Sequence, residues 1–300
     1  MTASRKELLF GPMRIPFLLL VPACVLLGVA TARWAGAELA PLRLVLIALG
    51  ALAAHISVNA LNEYHDFRSG LDLRTEPTPF SGGSGTLPQN PTKAHFALGT
   101  GLVALLVTAG IGAYFTLTVG WGLLPLGLLG IVVVVSYTPL LTRNVFLCLI
   151  APGLGFGPAM VMGTYYVLAG SYSWTAFVAS LVPLFLVSDL LLLNQFPDAE
   201  ADATVGRHHL VIARGTRSGV VIYGLFLAAA YLTLIVGCLL RVLPLPSLLG
   251  LLSLVLAIPT FRGAARYAET IPKLIPFLGK NVVVILLTPL LVAVGLFIAT

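Results

Sequence analysis

The sequence is short of charge: only 9% of its 300 residues are Asp, Glu, Lys or Arg, against 58% hydrophobic residues and a mean hydropathy of +1.02. A chain this apolar has too little polar surface to clothe a water-soluble core, so it reads as a polytopic membrane protein. Cysteine is scarce as well. Cys24, Cys148 and Cys238 stand singly in apolar runs, without the paired spacing of a disulfide framework or a zinc site. Residues 1–14 do not end in a small-residue cleavage site, so the first apolar run is expected to be retained as a span. Nothing beyond the net charge of +6 speaks for nucleic acid, and that excess suits anionic lipid headgroups and an anionic substrate.

The apolar runs divide into nine expected helices, at 15–34, 40–62, 94–118, 120–138, 144–169, 174–195, 217–240, 244–260 and 282–299. The expected architecture is therefore all-α and multi-pass. Fourteen of the 17 basic residues fall at the amino terminus (Arg5, Lys6, Arg14) or in the loops after helices 2, 4, 6 and 8. Only Arg33, Arg43 and Arg241 lie on the other side, which by the positive-inside rule puts the amino terminus and the richer loops in the cytoplasm and the carboxyl terminus outside.

Acidic residues are few, 11 in all, and eight of them sit in two windows: Glu63, Asp66, Asp72 and Glu76, then Asp189, Asp198, Glu200 and Asp202. Carboxylates are costly to take out of water, so acids concentrated at two membrane edges point to bound cations. Both windows open with asparagine four residues before aspartate, Asn62 to Asp66 and Asn194 to Asp198. His55, Asn59, Asn62 and Asp66 share one helical face, as do Asn194, Asp198 and Asp202; Asp72 lies beyond the turn-forming Gly70. Pro197 is expected to kink or restart the second stripe.

The windows follow helices 2 and 6, 132 residues apart, an offset that suggests a parallel repeat. The expected organisation is a single membrane domain over 1–300, with repeat units at 15–138 and 144–260 and a ninth helix at 282–299. Hard oxygen ligands of this kind suit Mg²⁺ bridging a diphosphate, with Arg68, Arg74, Lys93, Arg143 and Arg207 supplying positive charge to phosphate oxygens. Gly82 to Gly85 form a candidate cap over such a site. Tyr64, Tyr137, Tyr165 and Tyr166 are candidates to line an apolar substrate path and to present an aromatic face to a cation. His55, His65, His208, His209 and the intramembrane Asp189 are secondary candidates.

The segment NALNEYHDFRSGLD (59–72) resembles the first aspartate-rich motif of the UbiA superfamily of intramembrane prenyltransferases, and NQFPDAEADATVGR (194–207) resembles the second. GPAMVMGTYYV (157–167) is similar to a segment of the 1,4-dihydroxy-2-naphthoate polyprenyltransferase branch. The resemblance implies an all-helical UbiA-type bundle, Mg²⁺ as cofactor, and transfer of a polyprenyl group from a polyprenyl diphosphate to an aromatic acceptor. Asn62, Asp66, Asp72, Asn194, Asp198 and Asp202 would then hold Mg²⁺ and diphosphate, with Asn59 beside them. Dihydroxynaphthoate is the first acceptor, giving a menaquinone-type quinone precursor. Hydroxybenzoate, homogentisate, a chlorophyll-type alcohol or a lipid glycerol phosphate stay open, as does a different class, a secondary transporter using the carboxylates for a coupled cation. A transporter site belongs near the bilayer midplane, whereas most of these acids lie at one edge.

Overall fold

The computed structural model describes residues 10–75 and 78–300. Arg5, Lys6, Glu7, Glu76 and Pro77 lie outside the described residues. Within them the protein is entirely helical, with nine apolar segments: α1 (Ile15–Trp34), α2 (Pro41–Ser69), α3 (Pro91–Thr118), α4 (Trp121–Ser136), α5 (Val145–Ala169), α6 (Trp174–Ala203), α7 (Leu210–Leu239), α8 (Leu245–Tyr267) and α9 (Ile271–Ile298). Eight are long and apolar enough to cross a bilayer, and α4 is a shorter apolar helix. Local chemistry sets the ends. Pro41 sits in the first turn of α2, Asn144 Oδ1 caps α5 by accepting the Phe146 and Leu147 amides, and Gly70 and Gly170 take positive φ to close α2 and α5.

Several boundaries differ from those expected. α2 runs on through Asp66 to Ser69, and α6 runs through Asn194, Asp198 and Asp202 to Ala203. Pro197 lies inside α6 and does not restart it as a second element. α9 begins at Ile271, so Lys273 and Lys280 lie on a helix rather than in a loop, and α8 continues to Tyr267. α7 begins at Leu210, with Gly215 leaving helical geometry at φ 77, so that its regular part starts close to the expected 217.

The outside is greasy and the inside more so. Leu106, Leu117, Val132, Leu225, Leu239 and Val255 are exposed, an arrangement at home against lipid rather than water. α6 is the most enclosed helix and packs on α5, α7 and α9. Small residues let backbones approach: a Cβ at Gly157 would meet Ser180 O, and would lie 2.9 Å from Leu184 Cβ and 3.0 Å from Leu184 N, while one at Gly28 on α1 would lie 2.7 Å from Val161 O. Replacing Gly157 with Leu is expected to push α5 off α6 and lower stability by about 1–3 kcal/mol, read as an earlier thermal transition in detergent. Residues Gly155–Met162 of α5 are π-helical, with Pro158 inside the stretch, a local widening that turns Gly155, Phe156, Ala159 and Met160 toward the interior cavity.

Candidate functional site

A cavity of about 360 Å³ opens inside the bundle, and both acidic windows line it. Asn59, Asn62 and Asp66 face it from α2, and Asn194, Asp198 and Asp202 from α6. Asp72 joins from a short 3₁₀ turn that follows the left-handed Gly70, so the chain reverses and returns this carboxylate to the same space. Two stripes separated by more than a hundred residues thus share one chamber. Below them the walls become apolar: Ile47, Ala51, Phe115, Leu126, Phe156 and Met160 are among the residues that continue it. From Asp66 to Ile47 the cavity follows 19 residues of α2, roughly 28 Å at helical rise.

Arg207 stands between the windows. Its Nη2 donates to Asp66 Oδ1 and its Nη1 to Asp202 Oδ1 at 2.8 Å, while His209 Nε2 pairs with Asp202 Oδ2 at 3.0 Å. Burial works against the Arg207 charge, yet the Asp66 and Asp202 carboxylates outweigh it and raise its pKa above the usual arginine value. Asp72 has no such ion-pair partner among the described residues. Burial pushes its carboxyl up to about 8, the charges of Glu63 and Asp66 push the same way, and Arg207 and Arg14 only partly oppose them.

The Gly-rich segment closes over this end. Ser84 donates its amide to Glu63 Oε1 at 2.6 Å and its hydroxyl to Glu63 Oε2 at 3.0 Å, so the buried Glu63 tethers the loop. Gly83 has φ +76, and a Cβ there would lie 2.9 Å from Asp72 Oδ1, which leaves glycine as the residue that fits so near a carboxylate. Ser81 and Gly82 reach the cavity wall itself.

The residues read from the sequence separate into two groups. Asn59, Asn62, Asp66, Asp72, Asn194, Asp198, Asp202, Arg207 and Tyr137 line the cavity, as do His55 and His209. Arg68, Arg74, Lys93 and Arg143 are exposed off the wall, Arg74 donating to Thr204 Oγ1 at 3.0 Å. Tyr64 is off the wall too, and Tyr165 and Tyr166 are buried in the packing of α1 and α5, Tyr166 against Tyr172. Asp189 is wholly buried on α6, off the cavity, both oxygens lacking a hydrogen-bond partner among the described residues. Missed altogether was Arg14, which faces the cavity from the head of α1.

The donor set fits a hard divalent cation. Asp72 Oδ2, Asn194 Oδ1 and Asp198 Oδ1 are buried without hydrogen-bond partners among the described residues, a costly state that a bound cation relieves. Among the described residues no group of three His, Cys, Asp or Glu forms a ready-made metal cluster, and Asp66 and Asp202 are engaged by Arg207 and His209. The model of the UbiA prenyltransferase family matches residues 19–274, which takes in both stripes and the whole of the two helices that carry them.

The chain belongs to the UbiA prenyltransferase family. It is an all-helical, multi-pass membrane protein. It is 26% identical over 179 residues to a 1,4-dihydroxy-2-naphthoate octaprenyltransferase of Bacillus subtilis, a match covering 59% of this chain and 56% of that protein. A 1,4-dihydroxy-2-naphthoate octaprenyltransferase of Haemophilus influenzae is also 26% identical, over 220 residues and 70% of each chain. Among solved structures, the apo UbiA homologue of Aeropyrum pernix K1 superposes with a TM-score of 0.65 at 15% identity, covering 95% of this chain and 98% of that one. A UbiA homologue of Archaeoglobus fulgidus bound to DMAPP and Mg²⁺ gives 0.59 at 14% identity over 96% and 99%. A digeranylgeranylglyceryl phosphate synthase gives 0.62 at 16% identity over 97% and 99%. At these identities the structural likeness establishes the fold.

Proposed function

We propose that this UbiA-family member transfers the polyprenyl group of an allylic diphosphate to 1,4-dihydroxy-2-naphthoate, a step of menaquinone-type quinone biosynthesis, with Mg²⁺ as cofactor. The observation that carries the reading is a cavity that joins the side chains of Asn62, Asp66, Asp72, Asn194, Asp198 and Asp202 to a long apolar chamber. Such a space suits a molecule with a polyanionic head and a hydrocarbon tail. The two relatives named 1,4-dihydroxy-2-naphthoate octaprenyltransferase and the 157–167 segment, whose Ala159, Met160, Gly163, Thr164 and Val167 line the chamber, support the acceptor.

Asn62, Asp66, Asp72, Asn194, Asp198 and Asp202 are the residues to hold Mg²⁺. Bound there, it supplies positive charge for the leaving diphosphate. Arg207, released from one of its carboxylates, has donors for phosphate oxygens in the same place. The C1–O bond breaks with its electron pair leaving on the diphosphate, a ring carbon of the acceptor gives its π pair to C1, and the ring regains aromaticity as that carbon loses what it carried, a proton at C3 or the carboxylate as CO2 at C2. Tyr137 at the wall offers an aromatic face to the allylic cation, and the apolar lining keeps water from it. The chain need supply no covalent nucleophile. Its contributions are placement of two substrates and charges set in advance. In this reading the loops that cap the cavity face the cytoplasm of a bacterial-type inner membrane.

Excess EDTA is expected to stop product formation and added Mg²⁺ to restore it, followed by release of diphosphate. Turnover that persists at full rate in chelator would remove the metal from the account.

A further inference from the structure

A second hollow lies beside the capped end of the cavity, between the segment leading into α1 and the Gly-rich loop. Its walls are Phe10, Pro16 and Phe17 on one side and Pro79, Ser84 and Thr86 on the other, and its volume is about 480 Å³, ample for a bicyclic aromatic ring. Arg14 and Phe17 line both this groove and the main cavity, so the two spaces meet at those residues.

Arg14 is unusual in three respects. Its backbone is left-handed at φ 50, a conformation that costs a non-glycine residue energy and that the surroundings must hold in place. Asn59, on the polar stripe of α2, donates Nδ2 to Met13 O at 2.9 Å, and Phe17 donates its amide to Arg14 O at 2.9 Å. The guanidinium lies 4.9 Å from the centre of the Phe17 ring, and Arg14 forms no salt bridge among the described residues. The other arginine on the cavity wall, Arg207, is taken up by Asp66 and Asp202.

We propose that Arg14 and the groove it closes form the docking site for the acceptor, a hydroxylated aromatic carboxylate that reaches the reaction chamber from the loop end of the bundle. This rests on the prenyl transfer to an aromatic acid proposed above. The chemistry is complementary: four carboxylates on the cavity wall repel an acidic acceptor, so such a molecule needs a cation of its own, and a planar guanidinium pairs a carboxylate through two parallel hydrogen bonds. Phe10, Phe17 and the two prolines give the ring an apolar slot. The acceptor then arrives from the side opposite to the apolar chamber that takes the prenyl tail.

The test is binding, measured with the intrinsically fluorescent 1-hydroxy-2-naphthoate and with 1-naphthol, which lacks the carboxylate, on the purified full-length protein. Wild type is expected to favour the naphthoate. Arg14→Gln should weaken it about tenfold or more, the range for loss of a charge-assisted hydrogen bond, while 1-naphthol binds as before and allylic diphosphate loses less than the naphthoate does. Arg14→Lys should recover part of the loss. Thr86→Cys tests the groove without touching Arg14: the native cysteines are all buried, so a bulky maleimide goes to Cys at position 86, and labelling should block naphthoate but spare allylic diphosphate. Equal weakening of both probes by Arg14→Gln, or loss of allylic diphosphate binding with the naphthoate retained, would overturn the proposal. Arg14-dependent naphthoate binding in an enzyme that prenylates no aromatic acid would keep the site and sink the acceptor reading instead.

Discussion

Asp198→Ala and Asp66→Ala are each expected to lower product formation by about a hundredfold or more, the scale seen when a group that stabilises developing charge is removed. The two should differ in stability. Asp198 Oδ1 has no hydrogen-bond partner among the described residues, and the carboxylate's contacts to the Ser81 side chain and the Gly82 backbone tie down only the loop, so its loss should cost less stability than that of Asp66. Asp66 is one of two carboxylates that hold the part-buried Arg207, and truncating it leaves that cation with Asp202 alone. A cost of about 1–3 kcal/mol is expected there. Size-exclusion profiles and thermal melts separate this loss from the catalytic one, and near-normal turnover in Asp198→Ala would take that residue out of the site.

The second large effect is expected at Gly163. Its backbone is ordinary α-helix, φ −60 and ψ −45, and a Cβ built there meets nothing within 4 Å. It lines the cavity, so Gly163→Leu adds a side chain to that space, and its Cβ meets no neighbour. This contrasts with Gly157, one helix face away, where any Cβ meets α6. The leucine should lower kcat/KM for the naphthoate acceptor by about ten- to a hundredfold through lost room, with a smaller change in allylic diphosphate binding and an unaltered melting temperature. Steady-state kinetics with each substrate varied in turn decide it. An equal fall for both substrates together with a lower melting temperature would make Gly163 a packing residue.

The helical bundle was legible because length and apolar content suffice to mark a membrane span. Where helices end was less so. The rule that a span stops with its apolar run places the ends of α2 and α6 before Asp66 and Asp198, but polar side chains that face an internal cavity let a helix continue beyond its greasy part. The stripes themselves were readable, since Asn62 and Asp66, or Asn194 and Asp198, announce a shared face by their spacing alone. Their meeting through Arg207 was not. Charge could be counted along the chain, but side-chain direction could not: Arg68, Lys93 and Arg143 turn outward while Arg207 and Arg14 turn in. Arg14 carried no local signal, being brought to the cavity by a left-handed turn at a residue that is not glycine. Tyr165 and Tyr166 are an instance of the same limit, aromatic residues whose helix face directs them into packing rather than into the chamber.

The most direct measurement is the mass of the product formed when the purified, reconstituted protein is given Mg²⁺, an allylic polyprenyl diphosphate and an equimolar mixture of 1,4-dihydroxy-2-naphthoate, 4-hydroxybenzoate, homogentisate and a lipid glycerol phosphate. The account predicts a prenylated naphthalene product in clear excess, absent with EDTA and absent with Asp198→Ala. A product built on hydroxybenzoate or on glycerol phosphate, or none that depends on the divalent metal, would contradict it.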